Sequence, residues 1–341
     1  MSSGTDEMWL DRFARRLGFG WLAARLPWAV SPSVLYAVTT VVGFTVGLNL
    51  FSVANGIETI YPTNPYFVLQ PIVLVGGVFA SRSLHRSYAR VMDEMDVAER
   101  ATDPDKLVDV VPSWLPPGMF ATAAVLQLLR SVLGPGWDNV AGVVANMVVF
   151  PFVYAPIIAQ FAALYLAIEF IAPYRIYRSD VGVHFLDPQG VGGLRPLGEL
   201  VKTAYYYIVV GLVAYALITY APFVDTAWRV TAYAGGLFTA VWLVSVATVG
   251  FAVFTLHRFM HREKREEIQR LETELNDLIE EPYDVANYRI PEDRRGRVED
   301  LRERIRQVSD TKEYPATFSI WTQLLLSVAI PKAIQLALAN A

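Results

Sequence analysis

Residues 228–280 read WRVTAYAGGLFTAVWLVSVATVGFAVFTLHRFMHREKREEIQRLETELNDLIE, and the change of character inside this stretch decides the fold. Up to Leu256 it is almost wholly apolar; from His257 onward charge dominates. A membrane-crossing helix needs about 20 mostly apolar residues, and 228–256 supplies them. The charged half keeps a helical period, because Ile268, Leu271, Leu275 and Leu278 recur three and four apart with Glu and Arg between them. As one helix, the 53 residues at about 1.5 Å each reach roughly 80 Å, so about half would project beyond the bilayer.

The rest of the chain agrees with that reading. Of 341 residues, 54% are hydrophobic and 18% charged, and the mean hydropathy is +0.34. Soluble domains carry roughly a quarter of their residues as charges. Segment 257–315 alone holds 13 basic and 16 acidic residues. This is an all-α, polytopic membrane protein with charged parts outside the lipid, which excludes a plain soluble enzyme. A net charge of -4 without a basic stripe argues against nucleic acid as a partner. The absence of cysteine removes disulfide scaffolds, thiolate metal sites and cysteine nucleophiles.

Working outward, residues 1–31 form an interfacial segment. Leu10, Phe13, Leu17 and Trp21 fall on one face and Arg12, Arg15 and Arg16 on others, the pattern of a helix lying on a membrane surface. Residues 32–256 hold six spans: 33–53, 66–80, a weak one at 119–133, a long stretch at 140–172, 202–220 and 228–256. The 119–133 segment could also be re-entrant, and 140–172 is either one tilted helix or two helices broken at Pro151 or Pro156. A seventh span, 317–338, lies within the terminal segment 316–341. With seven crossings, 25 of the 29 Lys and Arg fall in 1–31, 82–113, 174–200 and 257–315, which places the N-terminus inside and the C-terminus outside a multi-pass cell-membrane protein.

The cytoplasmic parts look built for packing. Leu84, Tyr88, Val91 and Met95 continue the second span as an amphipathic helix. Val298, Leu301, Ile305 and Val308 repeat the seam of Ile268, Leu271, Leu275 and Leu278 after a break at 282–296. These eight residues predict a helical hairpin, 257–315, packed against the extended second span. It is either simply solvated or a device for subunit association, since narrow apolar faces need partners.

Candidate chemistry is sparse. His257 and His261 share a helix face, but sequence fixes no third ligand, so a structural role is expected and no cofactor or metal is assigned. The loop VGVHFLDPQGVGGLRPLGEL (181–200) lacks GxGxxG and follows no strand, which makes it a turn seating the fifth span more readily than a phosphate cradle. No HExxH, GxSxG or paired-aspartate motif occurs, so an enzyme is not expected. Glu169, near the inner end of the long fourth helix, is expected to pair with Arg175 or to snorkel rather than to serve permeation. In the last span, Ser319, Gln323, Ser327, Pro331 and Gln335 recur every four residues, a slowly turning polar stripe that either bonds a neighbouring helix or lines a wet path. Lys332 lies beside it. Ser319, Gln323, Ser327, Gln335 and Lys332 are therefore the pore-lining candidates.

Seven spans, an external C-terminus, cytoplasmic helix extensions and the largest cytoplasmic loop before the last span resemble the insect gustatory and odorant receptor superfamily. That family's last helix carries Thr-Tyr, five apolar residues and Gln-Phe; here Thr317-Phe318, four residues and Gln323-Leu324 stand in the corresponding place. The resemblance implies a homotetrameric, ligand-gated cation channel, with cytoplasmic extensions holding subunits together and the last helix around a central pore. Thr317 and Gln323 are the residues it positions, and its partners are lipid, further copies of the chain and a small-molecule ligand. The alternative is a non-conducting sensor or scaffold that recruits a soluble partner through the hairpin. A transporter ranks third, since no internal repeat is evident.

Overall fold

The computed structural model describes residues 7–56, 59, 61–62, 64–133, 143–220, 232–280, 288–314 and 329–337. Their regular structure is helical, with one isolated bridge between Glu280 and Arg289. Among the described residues five helices are long and apolar enough to cross a membrane, so the chain is an α-helical, multi-pass membrane protein. They are α3 (Pro32–Ala54), α4 (Pro65–Glu94), α8 (Ala145–Arg178), α9 (Arg195–Tyr220) and α10, which runs from Ala232 to Asn276. The weak span at 119–133 becomes α7 (Leu115–Leu133), a 19-residue helix with a shorter apolar stretch.

The N-terminal segment is two helices, α1 (Trp9–Arg16) and α2 (Phe19–Ala23), because Gly18 takes a left-handed φ of 92° between them. The single continuous surface helix expected there is thus divided. Leu10 turns inward, while Leu17, Trp21 and Trp28 remain exposed. α1 is tied into the bundle by a buried Asp11, which accepts from the Ser33 amide (3.0 Å) and pairs with Arg82 (3.0 Å). The Leu10 amide donates to Gln160 Oε1 on α8 (3.0 Å).

α8 is the central post, packed by α4, α7, α9 and α10. It passes through Pro151, Pro156 and Pro173 as one helix, so over the described part of 140–172 there is one helix and no break at Pro151 or Pro156. Its backbone widens into π turns at Ala145–Tyr154 and Ala167–Ile171. Proline has no N–H for the carbonyl four residues before it. At Pro156 that carbonyl belongs to Phe152, and the Tyr36 hydroxyl of α3 donates to it.

The second span continues unbroken to Glu94, burying Leu84, Tyr88 and Val91, with Met95 just beyond. The short helices α5 (Val97–Arg100) and α6 (Pro104–Val108) cover it, and the Tyr88 hydroxyl donates to the Leu107 carbonyl (2.5 Å). This corrects the expectation that the hairpin rests on the second span. The extension of α4 instead shares one core with α8, α9 and the inner part of α10.

The hairpin pairs the end of α10 with α11 (Arg295–Asp310). Leu271, Leu301 and Val308 form its core, flanked by Ile268, Leu275, Leu278, Ile305 and Phe185 of the loop after α8. Val298 is buried as well. The seam proposed for subunit association is thus filled within the chain.

Candidate functional site: the two anchors of the last segment

Only the end of the terminal segment, α12 (residues 329–337), lies within the described residues; Thr317, Ser319, Gln323 and Ser327 lie outside them. What the structure does place is the chain entering that segment and the chain leaving it.

The entry is held against α10. His257 donates from Nδ1 to the Glu313 carbonyl (3.0 Å), and His261 Nδ1 lies 3.1 Å from Glu313 Oε2. Tyr314 stacks on the His257 ring at 4.4 Å between centroids, nearly parallel. Lys264 donates to the carbonyls of Ser309 (2.7 Å) and Thr311 (2.9 Å), capping the end of α11. The histidine pair, spaced like two ligands, therefore serves to fasten residue 313. No group of three metal-ligating side chains is found among the described residues.

The exit is held at the other end of the same helices. Pro331 is buried, and Ile334 packs on Leu212, Ala216, Tyr220 and Phe238 of α9 and α10. Gln335 donates from Nε2 to the Tyr220 hydroxyl (2.8 Å). Lys332 donates to Gln335 Oε1 (2.6 Å), and its ammonium lies 5.8 Å from the Trp242 ring centroid. Of the five pore-lining candidates, then, Lys332 and Gln335 turn toward α9 and α10 inside the chain. Both contact groups of α9 or α10 within the chain, as a helix-bonding stripe would. The Tyr220 and Trp242 contacts could not be seen in the sequence, where an aromatic near a helix end reads as an interface anchor.

The glycine-rich loop after α8 is a closed turn. Asp187 accepts from the amides of Gln189 (3.0 Å), Val191 (3.3 Å) and Gly193 (2.9 Å), so its own carboxylate occupies the amides that a phosphate would need. Partial burial opposes its ionisation. The three amides and nearby His184 outweigh this and hold the carboxyl below its usual range. Beside the loop an open cavity of about 520 Å³ lies between α4 and the start of α9. Arg90 and Arg195 line it together with Glu94, Asp187 and Glu199, a mixed lining that selects no charge class.

Glu169 does not pair with Arg175. That guanidinium donates to the carbonyls of Lys106 (2.5 Å) and Asp109 (2.6 Å), which ties α8 to α6. Glu169 does not snorkel either: it is completely buried, and neither carboxyl oxygen has a hydrogen-bond partner.

No protein-family model matches the chain, and no curated protein or solved structure matches it.

Proposed function

We propose that the chain is one subunit of a homotetrameric, cation-permeable and ligand-gated channel of the cell membrane. In this reading it has seven spans, the N-terminus inside and the C-terminus outside, as in the insect gustatory and odorant receptor superfamily that it resembles. One observation carries the reading. The last segment is fastened to α10 at two levels, Tyr314 beside His257 and Lys332 beside Trp242. These α10 positions are 15 residues apart, about 22 Å along the helix. That interval is most of a hydrocarbon core of about 30 Å, and it supports a final crossing alongside α10.

The same anchors give the polar stripe a direction. At 3.6 residues per turn each four-residue step advances it about 40° around the axis. On an ideal helix the spacing of the stripe separates Ser319 from Gln335 by about 160°. The lining of the pore therefore falls to Ser319, Gln323 and Ser327, while Lys332 and Gln335 form an outer latch. This keeps the Lys332 charge against Trp242 and away from permeating cations.

Purified protein in liposomes is expected to pass monovalent cations, with Gln323→Leu or Ser327→Leu changing the conductance. Particle images should show four-fold symmetry. A monomeric particle whose last helix faces lipid overturns the proposal. Absence of flux together with a soluble protein retained through residues 257–315 supports the scaffold reading instead, and the outward faces of the hairpin are charged enough for such a partner.

A further inference from the structure

Among the described residues, Glu169 is the one whose buried side-chain polar atoms lack hydrogen-bond partners, and both of its carboxyl oxygens are in that state. It sits in the π turn Ala167–Ile171, which packs against α9 and α10. Two residues beyond that turn comes Pro173, which has no N–H for the carbonyl of Glu169 itself. π turns inside α-helices are frequent at functional sites. A carboxyl group so placed in a membrane protein also needs a physical account, because an unpaired buried charge is costly.

The surroundings narrow what can occupy the site. Among the described residues, the phenols of Tyr165, one turn earlier on α8, and Tyr205 on α9 lie close enough to interact with Glu169. Tyr165 is already engaged with Thr248 Oγ1 (3.0 Å) on α10. What α10 brings to the shared core, Val249, Ala252, Leu256, Phe259 and Met260, carries no titratable group. The nearest cationic side chains along the chain are committed elsewhere, Arg175 to the carbonyls of α6 and its exit and Arg178 over the Tyr174 ring (4.8 Å), while Lys202 of α9 pairs with Glu199. A hard metal ion takes six or more oxygens, which one carboxyl and two phenols do not supply. A proton needs only the carboxyl, and it removes the charge.

We propose that Glu169 is a proton-binding site at the junction of α8, α9 and α10, and that release of its proton admits water and parts α8 from its two neighbours. The bundle is then sensitive to pH through this one carboxyl. None of the following readouts requires ion conduction, so the outcome is independent of the channel reading.

Infrared spectra of the full-length protein at neutral pH should contain the carbonyl stretch of a protonated carboxylic acid. The band should be lost in Glu169→Gln and shifted in Glu169→Asp. In parallel, melting temperature should fall as pH rises, because the folded chain holds a proton that the unfolded chain releases. Glu169→Gln, which is neutral at every pH, should flatten that dependence. Absence of the band from the wild-type protein, or melting curves of wild type and Glu169→Gln that run parallel across pH, would overturn the proposal.

Discussion

The two longest helices use the same bilayer in opposite ways. α8 carries three prolines and two π turns, and half of its most apolar stretch is buried inside the chain. α10 has no proline over 45 residues, and 28% of its most apolar stretch is buried. At one irregularity of α8 a neighbour responds directly, since the Tyr36 hydroxyl donates to the Phe152 carbonyl. α10 exposes Leu243, Val244 and Phe254 at the outside of the bundle, where no neighbouring helix among the described residues covers them to repair a broken backbone. The difference separates roles: α8 keeps a buried carboxyl and two π turns inside the bundle, whereas α10 runs as a continuous strut of about 68 Å from an apolar half into a charged one.

The comparison breaks first if α10 tolerates what α8 tolerates. Ala247→Pro, at an exposed position in the middle of α10, should cost about 3 kcal/mol or more, because it removes a helical hydrogen bond and clashes with the preceding turn. Thermal unfolding in detergent would register this as a large drop in melting temperature. In α8, Pro156→Ala should change stability by less than about 1 kcal/mol. Equal effects at the two sites would erase the distinction.

Next in size is the hairpin, where α10 leaves the membrane. Leu271→Ala removes the centre of a small seam and should cost about 2–3 kcal/mol. The loss should be local, read as faster proteolysis near residue 290 while the membrane-spanning part melts unchanged. Were the seam an interface between subunits, the same change would instead dissociate the oligomer.

A smaller effect is expected in α8. Tyr36→Phe leaves the Phe152 carbonyl without the hydroxyl and should cost about 1–2 kcal/mol, seen as faster hydrogen exchange around residues 152–157. This site also marks the limit of what sequence reveals. The apolar runs located the five long helices, though α9 begins seven residues before the expected 202, and the seam of Leu271 and Leu301 is visible as a repeat because helix periodicity is local. Whether Pro156 breaks a helix depends on a hydroxyl 120 residues away, and no periodicity carries that. Glu169 failed for the same reason: Arg175, six residues along, looked like its partner, but α6 offers that guanidinium two carbonyls. Likewise, the stripe through Gln335 gave the spacing but not the side on which Tyr220 would meet it.

The smallest predicted effect lies where the two helices communicate. The end of α8 and the loop after it receive the hairpin, since Arg262 donates to the Tyr177 carbonyl in the last turn of α8 (3.1 Å) and the Lys312 amide to the Gly190 carbonyl of the loop (2.8 Å). Asp187 shapes that loop, and its carboxyl titrates below the usual range in the folded chain. The unfolded chain therefore binds the proton more readily, and the stabilisation is complete above the ordinary carboxyl pKa of about 4. It is lost as pH falls through the lowered folded value. Acidification should thus raise amide exchange at Gly193 and loosen the hairpin from α8 before the bundle melts. Asp187→Asn should make exchange fast at neutral pH and remove its pH dependence. An unchanged exchange rate in that variant would mean that the loop is held by Lys312 and Arg262 alone, so that the strut positions the post rather than the reverse.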